Sequence, residues 1–371
     1  MSTNIFWVAA FLGGLEMVRT LQSEAPPEDV HDSTFSDVVA RSWSLGQTYD
    51  PPAGDAHLED YLKTGLSLAV ATCASIGKAI RALLPYLTVL ASFAGFVAWN
   101  GGVVLGDKSN HIMTLHLPQM LYIWAFFMFF SFPILSSSLV DALIPANALP
   151  KLFRSSSRPS AAITLRQASI IVTAISLMLM IVHFNTFAHP FTLSDNRHYV
   201  FYIFRWFLLR HAVFKYLATP VYLLCGWSVI GALGERRAPS TPGKIPKKPA
   251  KSGIRQREHS LPVQGNRVSF VIIWLLSTSL ALVTVPLVEP RYFIVPWVIW
   301  RLHVPSTITP VGEWVNERLQ GWWPTIPRVD IPRLALETLW FMLLNFITGY
   351  VFLYRGFEWP QEPGLVQRFM W

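Results

Sequence analysis

The stretch LHLPQMLYIWAFFMFFSFPILSSSL (Leu115–Leu139) decides the fold, because it stays apolar over a length that can cross a bilayer. A hydrocarbon core of about 30 Å takes roughly 20 apolar residues as a helix. Comparable runs lie on either side of it: Leu83–Trp99, Ala168–Phe184, Val213–Leu233, Val268–Leu287 and Leu334–Leu353. The composition agrees, since 52% of the 371 residues are hydrophobic and only 14% charged, more apolar side chain than one soluble core could hide. The expected fold is all-α, a polytopic transmembrane helical bundle with six spans. Asn4–Met17 is apolar but short, and it lacks the basic flank and small-residue cleavage site of a signal peptide. Residues 1–17 therefore read as the remnant of a transmembrane helix. Cys73 and Cys225 sit in apolar or weakly amphipathic stretches and read as buried free thiols. No Asn-x-Ser/Thr sequon occurs, which leaves the compartment open.

Charge beside the spans sets the orientation, because cytosolic loops retain Lys and Arg during insertion. The connection 234–267 carries Arg236, Arg237, Lys244, Lys247, Lys248, Lys251, Arg255, Arg257 and Arg267 among prolines and serines. That composition predicts a disordered basic cytosolic loop, a solvated tether rather than a nucleic-acid site. The net charge of +8 needs no nucleic-acid partner. Alternation from this loop puts 18–82, with its amphipathic segment, on the cytosolic side, together with the 151–166 connection and a tail at 354–371. Residues 83–233 and 268–353 then hold the spans, and three connections fall on the opposite side: Asn100–Thr114, Asn185–Arg210 and Val288–Arg333. Trp99, Trp206, Trp297, Trp300, Trp340 and Trp359 lie near span ends, where interfacial anchoring is the simplest reading.

The three connections opposite the tether carry the densest polar motifs. The first, WNGGVVLGDKSNH (Trp99–His111), imitates a phosphate-binding loop only faintly: Asp107 separates Gly106 from Lys108, and no strand precedes the glycines. Asp107, Lys108, Asn110, His111 and His116 either cap the next helix or meet a ligand. The second holds Ser194, Asp195, Asn196, Arg197, His198 and Tyr199, with Arg205 and Arg210 close behind. Such groups are costly beside a bilayer unless paired or bound to something polar. Either Asp195 and Arg197 pair, or Arg197 and His198 meet an anionic lipid head group, for which a guanidinium fork is suited. The third opens with VEPRYFIVPW (Val288–Trp297), in which Glu289 and Arg291 stand at a span mouth and Pro290 and Pro296 argue against a regular helix. No metal signature and no serine or cysteine nucleophile elbow is present.

Taken together these motifs resemble a known family. Trp99–His111, Leu115–Gln119, Asp195–Tyr199, Glu289–Phe293, Asn345–Thr348 and the terminal Arg368–Trp371 look like the dolichyl-phosphate-glucose-dependent alpha-1,2-glucosyltransferases of the endoplasmic reticulum, in the family's order and over nearly the whole chain. The resemblance implies a GT-C-like fold with a luminal active face in the endoplasmic reticulum membrane. It also implies transfer of the terminal alpha-1,2-linked glucose from dolichyl-phosphate-glucose to a diglucosylated high-mannose dolichyl-pyrophosphate oligosaccharide. No cofactor or metal is implied. Family chains continue upstream through further spans and a loop with an Asp-Glu pair, where the resemblance places the catalytic base; this chain reads as amino-terminally truncated, with the base upstream of Met1 and activity of its own not expected. The substrate-binding residues expected here are Arg197, His198, Asp195, Tyr199, Lys108, His111, Glu289 and Arg291. The other readings are a multispanning lipid or sugar transporter, without an inverted repeat to support it, and a non-catalytic membrane interaction protein.

Overall fold

The computed structural model describes residues 4–24, 27, 33–103, 114–143, 165–194, 196–234, 265–285, 287–305, 310–322, 330–360 and 362–370. Helix α1 is continuous through Asn4–Phe6, a π segment Trp7–Leu12, and Gly13–Glu24. Then come α2 (Phe35–Ser44), α3 (Leu58–Ala74), α4 (Ile76–Asn100), α5 (Gln119–Phe130), α6 (Phe132–Leu143) and α7 (Leu165–Asn185). Helix α8 joins Tyr199–Tyr202 to a π segment Ile203–Leu208, and α9 (Ala212–Leu233), α10 (Val268–Val283), α11 (Arg291–His303), α12 (Pro310–Trp322) and α13 (Ile331–Tyr354) follow. A short antiparallel hairpin of β1 (Phe357–Trp359) and β2 (Glu362–Gln367) follows α13. Among the described residues, α4, α7, α9 and α13 are long and apolar enough to cross a membrane. The protein is thus an all-α polytopic membrane protein.

The apolar run Leu115–Leu139 is divided between two helices. Pro118 starts α5, and Ser131 breaks the run before Pro133, whose ring cannot donate an N–H to the preceding turn. The Ser131 carbonyl instead accepts from the Ile134 and Leu135 N–H groups at 2.9 and 3.0 Å, and its Oγ accepts from Trp297 Nε1 at 2.8 Å. Helix α9 packs along α5, where the Cα of Gly226 faces the ring of Trp124; a Cβ there would lie 3.3 Å from the indole. Phe127 of α5 meets Trp274 of α10 and Trp300 of α11 at ring separations of 6.0 and 5.4 Å. Both indoles are fully buried, and each N–H is satisfied: Trp274 Nε1 donates to Pro296 O at 3.1 Å, Trp300 Nε1 to Val229 O at 2.9 Å. Trp300 is therefore core rather than an interfacial anchor, whereas Trp99 and Trp206 are exposed. Cys225 is buried as expected, but Cys73 is exposed; both are free.

Contacts between helix ends define two faces. On one, the chain at Asp50–Ala53 holds both ends of the 234–267 connection: Ala53 N donates to Asn266 O, Val268 N to Pro51 O, and a Cβ on Gly54 would overlap the Gly234 carbonyl oxygen. Buried Asp50 accepts from Ser269 N at 2.9 Å, Ser269 Oγ at 2.6 Å and Gln22 Nε2 at 2.8 Å. Asn266 Nδ2 also donates to Leu233 O and His303 O, at 2.8 and 2.7 Å. The ends of α1, α9 and α11 and the start of α10 thus share one face, here the tether face. The other, the motif face, is described below.

Two connections differ from the expectation drawn from charge. Within 288–333, Arg291–His303 forms a regular helix despite Pro296, with Pro290 at its N-cap, and it ends at the tether face through the Asn266 bond. Helix α13 then runs back. Its Glu337 pairs with Arg301 near the tether end of α11, and Phe341 meets Trp297 one turn further on. The extra traverse reverses the side on which the 354–371 tail emerges, and Met370 N donates to Arg197 O at 2.6 Å. The tail therefore lies beside the Arg197 connection, not on the face of the basic tether.

Candidate functional site

The motif face begins with the segment before α5. Leu115–Gln119 is extended and then turns, so its backbone groups need partners outside any helix. Asn185, the last residue of α7, supplies two: its Oδ1 accepts from Leu117 N at 2.7 Å and its Nδ2 donates to Leu115 O at 2.9 Å. His116 N donates to Val283 O at 2.8 Å, and Gln119 Nε2 reaches the carbonyl of Val285 just past α10. The His116 ring is fully buried, 4.3 Å from the ring of Phe187. One side-chain amide on α7 and one on α5 thus tie the ends of α5, α7 and α10 together. The quoted motif contains Gln119, but nothing local in the sequence singled out Asn185 as its partner.

Beyond α7, His189 caps a 3-10 turn, Pro190–Leu193, by accepting from Phe191 N at 3.2 Å. The chain then reaches Asn196, buried, and Arg197, exposed. His198 is the N-cap of α8, with extended backbone, and its carbonyl accepts from Phe201 N at 3.1 Å. Tyr199 is half-buried against the central core, and burial pushes its phenol above the ordinary tyrosine range. Arg197 is therefore exposed and His198 half-buried on a turn whose neighbours on both sides are anchored. Arg205, one turn into α8, lies over the ring of Phe201 at 5.5 Å, which holds its guanidinium by a cation–π contact.

Between α10 and α11, Arg291 Nε pairs with Glu289 Oε2, and the Arg291 guanidinium lies 5.5 Å from the centre of the Tyr292 ring. Arg291 remains mostly exposed, with 59% of its side chain accessible, so it can pair with Glu289 and still turn N–H groups outward. Lys108, His111 and Asp195 lie outside the described residues. The structure thus collects Leu115–Gln119, Arg197–Tyr199, Glu289–Arg291 and Arg368–Met370 at one face, drawing on four separated parts of the chain. The last of these had been assigned to the other side.

A helical bundle crossing a membrane, with polar motifs from several connections gathered at one face, defines a multi-pass membrane protein with a polar site at that face. The chain belongs to the DIE2/ALG10 family, whose profile it matches over residues 2–302. It is 41% identical over 419 aligned residues to a protein of Emericella nidulans, covering 100% of this chain and 68% of the relative. With an Aspergillus fumigatus protein it shares 40% identity over 428 residues, again covering 100% of this chain and 68% of the relative. A Homo sapiens protein is 33% identical over 291 residues, 77% of this chain and 46% of the relative. Each of these relatives is named Dol-P-Glc:Glc(2)Man(9)GlcNAc(2)-PP-Dol alpha-1,2-glucosyltransferase. No solved structure matches the chain.

Proposed function

We propose that this chain carries the sugar-lipid site of an alpha-1,2-glucosyltransferase that moves the terminal glucose from dolichyl-phosphate-glucose to a diglucosylated, dolichyl-pyrophosphate-linked high-mannose oligosaccharide, at the luminal side of the endoplasmic reticulum membrane. The observation that carries this reading is the turn of exposed Arg197 and half-buried His198, standing with the Glu289–Arg291 pair on the motif face of a membrane bundle. In the reaction the acceptor hydroxyl oxygen forms a bond to the glucose anomeric carbon, and the bond from that carbon to the donor phosphate breaks. Dolichyl phosphate leaves with the electron pair, and a base takes the hydroxyl proton. Negative charge grows on the departing phosphate as the sugar becomes oxocarbenium-like. Fixed donors aimed at that charge lower the barrier.

Arg197 and His198 supply donors to phosphate or sugar, Arg291 offers further charge while Glu289 orients it, and Tyr199 holds the turn against the core. Lys108, His111 and Asp195 belong to the same substrate-binding set in this reading. None of these residues is assigned as the base. The names of the fungal and human relatives and the match across the chain support the substrate class. The test is Arg197→Ala in a full-length version of the enzyme, expressed in microsomes lacking the endogenous enzyme and supplied with labelled dolichyl-phosphate-glucose. Glucose addition should fall by about a hundredfold or more, the scale of losing one such donor, with protein level unchanged. Undiminished transfer would overturn the assignment.

A further inference from the structure

The carboxyl-terminal residues are exposed, yet they are fixed at both of their ends. Arg368 Nη1 donates to the carbonyls of Phe352 and Leu353, both at 2.7 Å, and its guanidinium lies 5.8 Å from the centre of the Phe352 ring. These are among the last carbonyls of α13, which have no partner within the helix and sit at the negative end of its dipole. One residue on, the Phe369 ring packs 6.3 Å from Tyr202 of α8, and Met370 N donates to Arg197 O at 2.6 Å. The hairpin between α13 and these residues sets the reach: Phe357 pairs with Gln367, and Gly356 leaves room for Val366, whose Cγ1 would stand 2.6 Å from a Cβ there. A side chain at position 356 would push the returning strand, and Arg368 with it, off the end of α13.

From this geometry we infer that Arg368–Met370 is a positioning strap for the Arg197 turn, anchored by Arg368 and lying on the same side of the membrane as that turn. The strap acts on the main chain of the Arg197 turn. It donates to the Arg197 carbonyl and packs on α8, so it fixes the backbone from which the Arg197 and His198 side chains project. The positioning role rests on the glucosyl-transfer reading above. The location of the strap does not.

Two measurements separate these. The first replaces Leu365, an exposed residue of β2, by Cys in a Cys73→Ser background, and applies a membrane-impermeant maleimide to sealed vesicles of known orientation. Labelling should match that of a Cys introduced at exposed Ser194 on the motif face and oppose one at exposed Ser44, which ends α2 ahead of the Asp50–Ala53 segment of the tether face. Labelling with the Ser44 reporter would overturn the strap whatever the chemistry. The second compares Arg368→Ala and Arg368→Lys for transfer from dolichyl-phosphate-glucose. Loss of the anchor should lower kcat/KM about tenfold, the equivalent of ~1.4 kcal/mol, chiefly through the donor KM, and Lys should restore part of it because an ammonium can also donate to the helix carbonyls. An Ala variant with unchanged donor KM, or equal losses in Ala and Lys, would refute the positioning role. The transfer assays carry these substitutions in a full-length version of the enzyme, and failure of that unsubstituted enzyme to transfer glucose would count against the proposed function and leave the labelling result intact.

Discussion

Removing one partner of the Arg301–Glu337 pair should destabilise the bundle far more than removing both. Arg301 Nε donates to Glu337 Oε1 at 2.7 Å and Nη2 to Oε2 at 2.6 Å, a two-pronged contact between α11 and α13. Glu337 is 12% exposed and Arg301 29%, so neither is freely rehydrated when its partner is lost. Hydrogen bonds to charged groups contribute about 1.5–3 kcal/mol each, and breaking a buried pair costs about 3–5 kcal/mol. With Arg301 partly accessible, Glu337→Leu should cost about 3 kcal/mol. Glu337→Gln keeps one acceptor and should cost roughly half as much. Arg301→Met with Glu337→Leu removes both charges and should return to within about 1 kcal/mol of the parent, a coupling of several kcal/mol in the double-mutant cycle. The assay is built in. In a Cys73→Ser background, Cys225 is the one remaining thiol and is buried, so its reaction with a fluorogenic maleimide during denaturant unfolding in detergent reports opening of the core. A double variant as unstable as the sum of its parents would show that the two charges act independently, and the pairing argument would fail.

Other outcomes follow from single contacts. Asn185→Leu removes both bonds to the Leu115–Leu117 backbone and should cost about 2 kcal/mol, read by the same thiol assay; a change under about 0.5 kcal/mol would mean that water replaces the amide. Gly226→Val forces a branched side chain into the Trp124 ring and should cost about 1–3 kcal/mol, with quenched or shifted indole fluorescence as a second readout, and parent-like stability would show that α5 and α9 can separate freely. Burial raises the Asp50 carboxyl above the usual Asp range, against hydrogen bonds from Ser269 and Gln22 and the charge of Arg267, which lower it. A raised folded-state pKa means stability that is present below the unfolded value of about 3.9 and lost as pH rises through the folded one. Asp50→Asn should therefore flatten the decline in stability above pH ~4, and an unaltered pH profile would contradict the assignment.

The long spans were legible because hydropathy is a local property: Ile76–Asn100, Ala212–Leu233 and Ile331–Tyr354 contain the runs marked from composition alone. Helix α11 was not legible. Its 13 residues include Pro296, Arg301 and His303, which read locally as a polar, proline-broken loop. What makes it a packed helix is remote: Glu337 neutralises Arg301 from 36 residues away, Asn266 caps the last turn, and Trp300 finds its acceptor on α9. Missing that traverse set the tail on the wrong face, since every later side assignment depends on the count. The site was half legible for the same reason. Arg197, His198 and Glu289 with Arg291 stand out as polar clusters in apolar surroundings, while Asn185 and Arg368 act on main-chain carbonyls and amides, a role that no spacing rule announces.

The contact of Gly54 with Gly234, beside the Ala53 to Asn266 bond, bears on how this protein can be altered. Both exits of the 234–267 connection are fastened to the same few residues, so chain added between them need not move α9 or α10. Closure of a connection grows dearer only slowly with length, by about 0.6 kcal/mol per doubling. An epitope or fluorescent domain inserted between those exits should be carried without loss of fold, whereas the same cargo fused after Trp371 would load the strap on the Arg197 turn.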